Sequence, residues 1–167
     1  MSQLRNISIV GGSGQVGSHI VDALLQSNKF IVTAITRDDS SSTFPATVKV
    51  RRGDYSLSDF LISVLQGQDA LIIILAATAP KHLQSHLIEA AAAAGVPWIL
   101  PCEFGPDTGN PLMVNSVPIL ASKKQYRDQI QELGKSSWIG FINGLWFDFV
   151  CLSFYNPVFF SLLTNVF

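Results

Sequence analysis

The sequence predicts an α/β protein built on a doubly wound parallel sheet. Strand-like runs alternate with helix-period segments through the first 148 of the 167 residues, the order expected when helices cover both faces of a parallel sheet. The run 70–75 (ALIIIL) is apolar throughout, as a central strand buried on both faces has to be. A glycine-rich turn, Gly11 to Gly17, joins the first strand pattern to the first helix pattern.

Each element has a local reason. Asn6–Val10 (NISIV) is a short run with β-branched residues at three of its five places, which suits a strand. Beyond the glycines, Val16, Ile20, Leu24 and Leu25 recur at the spacing of one helix face. Residues 29–36 (KFIVTAIT) are β-branched and aromatic, a second strand. Residues 47–51 form a third strand and Ser58–Leu65 a helix. The run 70–75 is the fourth strand. Lys81–Ala94 is an alanine-rich helix closed by Gly95, with Pro97 just beyond. Trp98–Leu100 is a fifth strand, 122–133 a helix ended by Gly134, and 138–142 a sixth strand. The chain has no internal repeat, and its only low-complexity segment is the alanine run 90–94.

Composition excludes several classes. Hydrophobic residues make up 48% and charged ones only 14%, well below the ~25% charged of an average soluble chain. That content supports a core and excludes disorder for most of the chain. Eleven basic against twelve acidic residues leave a net charge of −1, which gives no electrostatic footprint for nucleic acid. The two cysteines, Cys102 and Cys151, are too few for a disulfide framework and lack metal-ligand spacing, so no metal is expected and a reducing, cytoplasmic setting is. The N-terminus runs into the glycine turn within ten residues and carries no secretory signal, so the chain is expected to begin inside its domain. After Asp148 the composition shifts. Residues 149–167 hold no charge and 5 of the 11 phenylalanines. Asn156, Pro157 and Asn165 interrupt them and no basic residue flanks them, so no membrane span is expected. The expected division is therefore a nucleotide-binding domain over 1–148 and an apolar tail over 149–167.

The glycine loop carries the chemistry. Gly12, Gly14 and Gly17 fit G-x-G-x-x-G, while Gly11, Gly14 and Gly17 fit G-x-x-G-x-x-G. In both readings one glycine takes the tight turn, one lets the backbone approach a pyrophosphate, and one lets helix and strand pack closely. The helix start then offers free N–H groups and partial positive charge to phosphates. The expected cradle is Gly11, Gly12, Ser13, Gly14, Gln15, Val16 and Gly17. No Gly-Lys-Ser/Thr closes the loop, which excludes a Walker A site. Arg37 lies 20 residues after Gly17, in Thr36-Arg37-Asp38-Asp39. A guanidinium at that place suits the 2′-phosphate of NADP, whereas an acid there would suit the ribose of NAD. NADP (NADPH) is favoured over NAD, with Arg37 paired to Asp38 or Asp39 in solvent as the alternative.

The Tyr-x-x-x-Lys device of common short-chain reductases is missing: Tyr55, Tyr126 and Tyr155 are followed four residues on by Asp59, Ile130 and Phe159. The helix 122–133 offers Lys123, Lys124 and Arg127. Lys123 and Arg127 share a face, which suits either proton transfer beside a bound ligand or an ordinary solvated pair. His82 and His86 have a zinc-compatible spacing, but Leu83 replaces the glutamate of H-E-x-x-H and no third ligand is evident. Cys102 follows the fifth strand with no base in sight and reads as a small wall residue.

Taken together, these segments resemble the isoflavone reductase-like, or NmrA-like, family of atypical short-chain dehydrogenases. The match runs through the glycine loop and Thr36-Arg37. It continues in Gln84-Ser-His-Leu-Ile-Glu-Ala-Ala with Gly95-Val96 and in Leu100-Pro-Cys-Glu-Phe-Gly105. It ends in Lys123-x-x-x-Arg127 with Ile130, Trp138 and Asn143-Gly-Leu-Trp146. Cys102 stands where the family has serine. The resemblance spans about residues 5–148 and implies a Rossmann sheet of strand order 3-2-1-4-5-6. It implies an NADP-dependent oxidoreductase acting on a small aromatic or secondary-metabolite substrate. It carries proton transfer over to Lys123, with Lys124 as the alternative register, phosphate reading to Arg37, and the nicotinamide side of the site to Thr78. The family also contains regulators that bind dinucleotides without turning them over, so a non-catalytic redox sensor is the alternative function. Family members run to about twice this length, and their C-terminal half closes the substrate pocket. The expectation is therefore a truncated form that lacks most of the substrate domain, its tail foreign to the family. An uncovered apolar surface would then favour self-association.

Overall fold

The computed structural model describes residues 4–144 apart from 77 and 117. The expected tail over 149–167, and the boundary before it, lie outside the described residues. The chain divides into two compact units. The first comprises Met1–Cys102 with Tyr126–Ile139, the second Glu103–Gln125 with the chain from Gly140 onward.

The first unit holds a six-stranded sheet in the order β3-β2-β1-β4-β5-β6, with every pairing parallel. Its strands are β1 (Asn6–Val10), β2 (Ile31–Arg37), β3 (Lys49–Gly53), β4 (Ala70–Ile73), β5 (Trp98–Leu100) and β6 (Ser137–Trp138). The helices are α1 (Gln15–Gln26), α2 (Ser58–Leu65), α3 (Lys81–Ala94), α4 (Pro111–Ser116) and α5 (Pro118–Leu133). Both the doubly wound class and the strand order expected from the sequence are observed.

The pleat separates the two faces. Val10, Ile35, Leu71, Ile73 and Ile99 point to one side and bury against Leu61, Val64 and Leu65 of α2, Leu87, Ile88 and Ala91 of α3, and Tyr126 and Ile130 of α5. Ile7 and Ile9 alternate to the other side, where Val21 of α1 is also buried. β4 is buried at all four positions, in keeping with its place in the middle of the sheet. β3 lies at an edge, and Lys49, Arg51 and Arg52 keep that edge charged, a common protection against edge-to-edge pairing.

Helix ends follow their local chemistry. Gly95 closes α3 at φ 75°, a left-handed geometry that glycine adopts without a Cβ penalty. The sequence reading misses α4. Its signal is present, since the Leu112 N–H donates to Asn110 Oδ1 at 3.0 Å and Pro111 takes the first helical place, an N-cap followed by N1 proline. α5 begins at Pro118, four residues ahead of the expected 122, again with proline at the start. β6 is shorter than the expected 138–142; beyond it, in the second unit, Ile142 makes one isolated bridge to Gly105.

Candidate functional site

The glycine loop follows β1 directly and ends in α1. Gly11 has φ +80°, and a Cβ there would overlap the Ile74 carbonyl oxygen. Gly17, in the first turn of α1, would place a Cβ on the Gly11 carbonyl oxygen. Gly14 is the extended N-cap of α1, and only the Gly11 oxygen lies near its missing Cβ. Of the two overlapping patterns, the triad Gly11, Gly14, Gly17 therefore performs the turn, the open approach and the close packing. Gly14 N–H donates to Gly11 O at 3.1 Å, and the first helical bond runs from Ser18 N–H to Gly14 O. The N–H groups of Gln15, Val16 and Gly17 thus precede the intrahelical ladder. No side chain caps α1, and its first turn holds no acid, so the positive end of its dipole faces outward uncompensated.

At the C-terminal end of β2, Arg37 is two-thirds exposed and its Nε lies 3.4 Å from Asp39 Oδ1. This is the ion pair anticipated as the alternative to phosphate reading. Arg52, opposite Thr36 on β3, donates from Nη1 to Thr36 Oγ1 at 3.1 Å and to Ser40 O at 2.5 Å, and from Nη2 to Ser42 O at 2.6 Å. Ser42 Oγ in turn meets Ser13 Oγ of the glycine loop at 2.8 Å. Sequence reasoning passes over Arg52, one residue beyond the third strand expected over 47–51, because its acceptors lie 10 to 16 residues away. Tyr55 closes the same sheet end, its hydroxyl donating to Ile35 O at 2.7 Å. Burial pushes that phenol above its usual range, and the Arg37 guanidinium pulls the other way.

Thr78 is exposed in the turn after β4, which is bridged by Ala79 N–H to Ala76 O at 2.9 Å. Cys102 sits at the end of β5 with Sγ 3.4 Å from Leu75 N and 3.6 Å from Leu75 O. Its thiol ties two strand ends together. His82 is exposed and His86 half-buried; both line a cleft of about 440 Å³ with Tyr55, Pro80, Leu83 and Glu89. The glycine loop does not border this cleft. Among the described residues no three potential ligands cluster around a metal position.

The second unit brings three separate segments together. Lys123 Nζ donates to Glu103 O at 3.0 Å and lies close to Gly105. The Glu103 carboxylate is buried and accepts from Thr108 Oγ1 at 2.8 Å. Gly105 O accepts the N–H groups of Asn143 and Gly144, both at 3.2 Å, and Phe104 stacks on Phe141 with ring centroids 5.9 Å apart. Lys123 is thus half-buried and held by a carbonyl, while Lys124 is exposed. In the first unit, the Arg127 guanidinium lies over the Trp138 ring, 5.2 Å from its centroid.

Strand order, the glycine triad and the uncapped start of α1 define the Rossmann class of doubly wound sheets. The chain belongs to the NmrA-like family, whose profile matches residues 3–166. That match runs through most of the segment that composition sets apart after Asp148. An Aspergillus flavus protein named oxidoreductase aprR is 33% identical over 144 residues, covering 83% of this chain and 48% of that protein. The solved structure of AtPrR2 with NADP+ and (+)pinoresinol superposes with a TM-score of 0.70 at 21% identity, over 84% of this chain and 50% of that one. Triphenylmethane reductase of Citrobacter sp., complexed with NADP(H), gives the same TM-score at 21% identity over 87% and 51%. The chain spans about half the length of these proteins. Among the described residues no helix is long and apolar enough to cross a membrane.

Proposed function

We propose that the chain binds NADP(H) at the loop 11–17 and serves an NADP-dependent reductase of a small aromatic or secondary-metabolite substrate. The observation that carries this is the glycine cradle. Two of its glycines admit no Cβ, and α1 offers uncapped N–H groups behind them. Those two glycines serve the turn and the helix–strand packing, and the open backbone at Gly14 beside the free N–H groups is where a pyrophosphate can approach. The names of the curated relatives and the NADP-bound solved structures support the same reading.

In this reading the backbone of Gly11, Gly12, Ser13, Gly14, Gln15, Val16 and Gly17 holds the pyrophosphate. Arg37 exchanges its Asp39 partner for the 2′-phosphate, and Thr78 flanks the nicotinamide side. Bound NADPH would supply the hydride. Lys123 is the proposed proton-transfer residue: Nζ carries the proton, and its bond to the Glu103 carbonyl fixes the direction of the ammonium. Partners are a small molecule and, through the exposed Phe141 and Ile142, a second copy of the chain.

The test is fluorescence titration of the chain with NADPH and NADH, beside Arg37→Ala. Saturable binding that prefers NADPH is expected, and Arg37→Ala should weaken NADPH by roughly 10- to 100-fold, the worth of a charge-assisted bond, while leaving NADH nearly unchanged. Equal losses for both nucleotides would sink the phosphate assignment. Binding without turnover of any carbonyl or enone would turn the reading toward the sensor.

A further inference from the structure

We infer that Arg52 is a positioning residue that sets the preference for NADPH over NADH, an inference that rests on the cofactor reading above. An arginine on an exposed edge strand is ordinarily solvated, with little constraint on its side chain. Arg52 instead spends three of its five N–H donors on one short stretch of chain, at Thr36 Oγ1, Ser40 O and Ser42 O. Two of those acceptors are backbone carbonyls of the connection after β2. The fork shape of the guanidinium therefore dictates the path of residues 38–42.

That path leads to the cofactor cradle. Ser40 Oγ donates to Ser42 Oγ at 2.8 Å and accepts the Ser42 N–H at 3.2 Å. Ser42 Oγ reaches Ser13 Oγ, and the Phe44 ring packs at Gly12. Hydrogen bonds on the backbone and then on the hydroxyls of Ser40 and Ser42 thus link Arg52 on β3 to the glycine loop. The end of β2 and the start of the connection after it carry the groups that decide between a 2′-phosphate and a 2′-hydroxyl. Arg37 suits the phosphate, and Asp38 and Asp39 suit the hydroxyl. While Arg52 holds the connection, Asp39 stays on Arg37 and the hydroxyls of Ser13, Ser40 and Ser42 cluster beside the cradle. With the connection released, either acid can swing to the ribose, so discrimination should fall even where binding survives.

The experiment titrates the wild-type chain, Arg52→Ala and Arg52→Lys with NADPH and NADH. Adenosine 2′,5′-bisphosphate and 5′-AMP serve as competitors, and hydrogen exchange is followed over 38–44 without nucleotide. Arg52→Ala should lower the NADPH-to-NADH affinity ratio about tenfold or more, with NADH affinity within about threefold of wild type, and should speed exchange over 38–44. Lysine keeps the charge and the stem but lacks the second nitrogen that reaches Ser42 O, so Arg52→Lys should recover only part of the wild-type ratio. An unchanged ratio in Arg52→Ala, an equal loss for both nucleotides, or full rescue by lysine would each overturn the inference while leaving the cofactor reading intact. A wild-type chain that binds neither nucleotide would overturn that reading itself.

Discussion

Gly11→Ala isolates the close approach on which the cradle depends. Two costs arise. A left-handed conformation costs a residue with a Cβ about 1–2 kcal/mol. The new methyl would also overlap the Ile74 carbonyl oxygen, a backbone atom that moves only if β4 or the loop shifts, and overpacking of this kind costs about 1–3 kcal/mol. Gly67 supplies the control, because its φ of +72° nearly equals that of Gly11 while nothing lies within 4 Å of its missing Cβ. Both substitutions restrict the unfolded chain alike, so that contribution cancels in the comparison. Gly67→Ala should cost about 1–2 kcal/mol and Gly11→Ala about 2–5 kcal/mol. At about 2–4 °C per kcal/mol for a chain of this size, Tm should fall by about 2–8 °C and 4–20 °C, read by far-ultraviolet circular dichroism. A Gly11→Ala loss no larger than that of Gly67→Ala would show that the approach to Ile74 is not what the position demands, and the assignment of Gly11 as the turn of the loop would fall.

Other consequences can be checked in parallel. Tyr126→Phe removes a hydroxyl that donates to Lys81 O at 2.9 Å and ties α5 to α3; it should cost about 0.5–1.5 kcal/mol in urea unfolding, and no change would mean that the bond is matched by water. Because burial raises the Tyr55 phenol above its ordinary value, the folded state keeps its proton where the unfolded chain loses it. That contribution to stability is complete below about pH 10 and declines above it, so Tyr55→Phe should flatten the alkaline fall in stability, and equal slopes would refute the assignment. Asp39→Asn frees Arg37 from its ion pair and should tighten NADPH a few-fold with little effect on NADH; weaker NADPH binding would mean that the acid supports the site rather than competing for it. Lys123→Met should abolish turnover in any reductase assay while nucleotide titration stays within about threefold, and retained turnover would pass the proton role to another group.

Most of the framework was legible because its causes are local. The continuous run 70–75 could bury both faces only in mid-sheet, and β4 lies between β1 and β5. Lys81–Ala94 carries its own helix period and its own stop at Gly95, and both ends of α3 agree with expectation. The loop 11–17 showed a tight strand-to-helix turn from its glycine spacing and its place between a strand pattern and a helix pattern, and β1 and α1 flank it. The missed pieces are also local in origin: Asn110 and Pro111 signal a helix start, but Gly109 and Pro118 on either side of a short stretch read as loop.

Tertiary structure decided what no local pattern encodes. Two glycine triads fit the sequence equally, and the Ile74 carbonyl, contributed by the chain beyond a crossover, selects Gly11 over Gly12 as the turn. Cys102 looked like a pocket wall until the backbone of Leu75, 27 residues away, came within reach of its thiol. Arg52 carried no local signal, and parallel pairing sets it opposite Thr36. Periodicity, caps and turns are energies between residues a few places apart, so the amino-acid order determined the elements and their type. Hydrogen-bond partners brought together by strand crossovers are set only once the sheet is assembled, and for that reason the assignments of Gly11, Cys102 and Arg52 belonged to the tertiary structure.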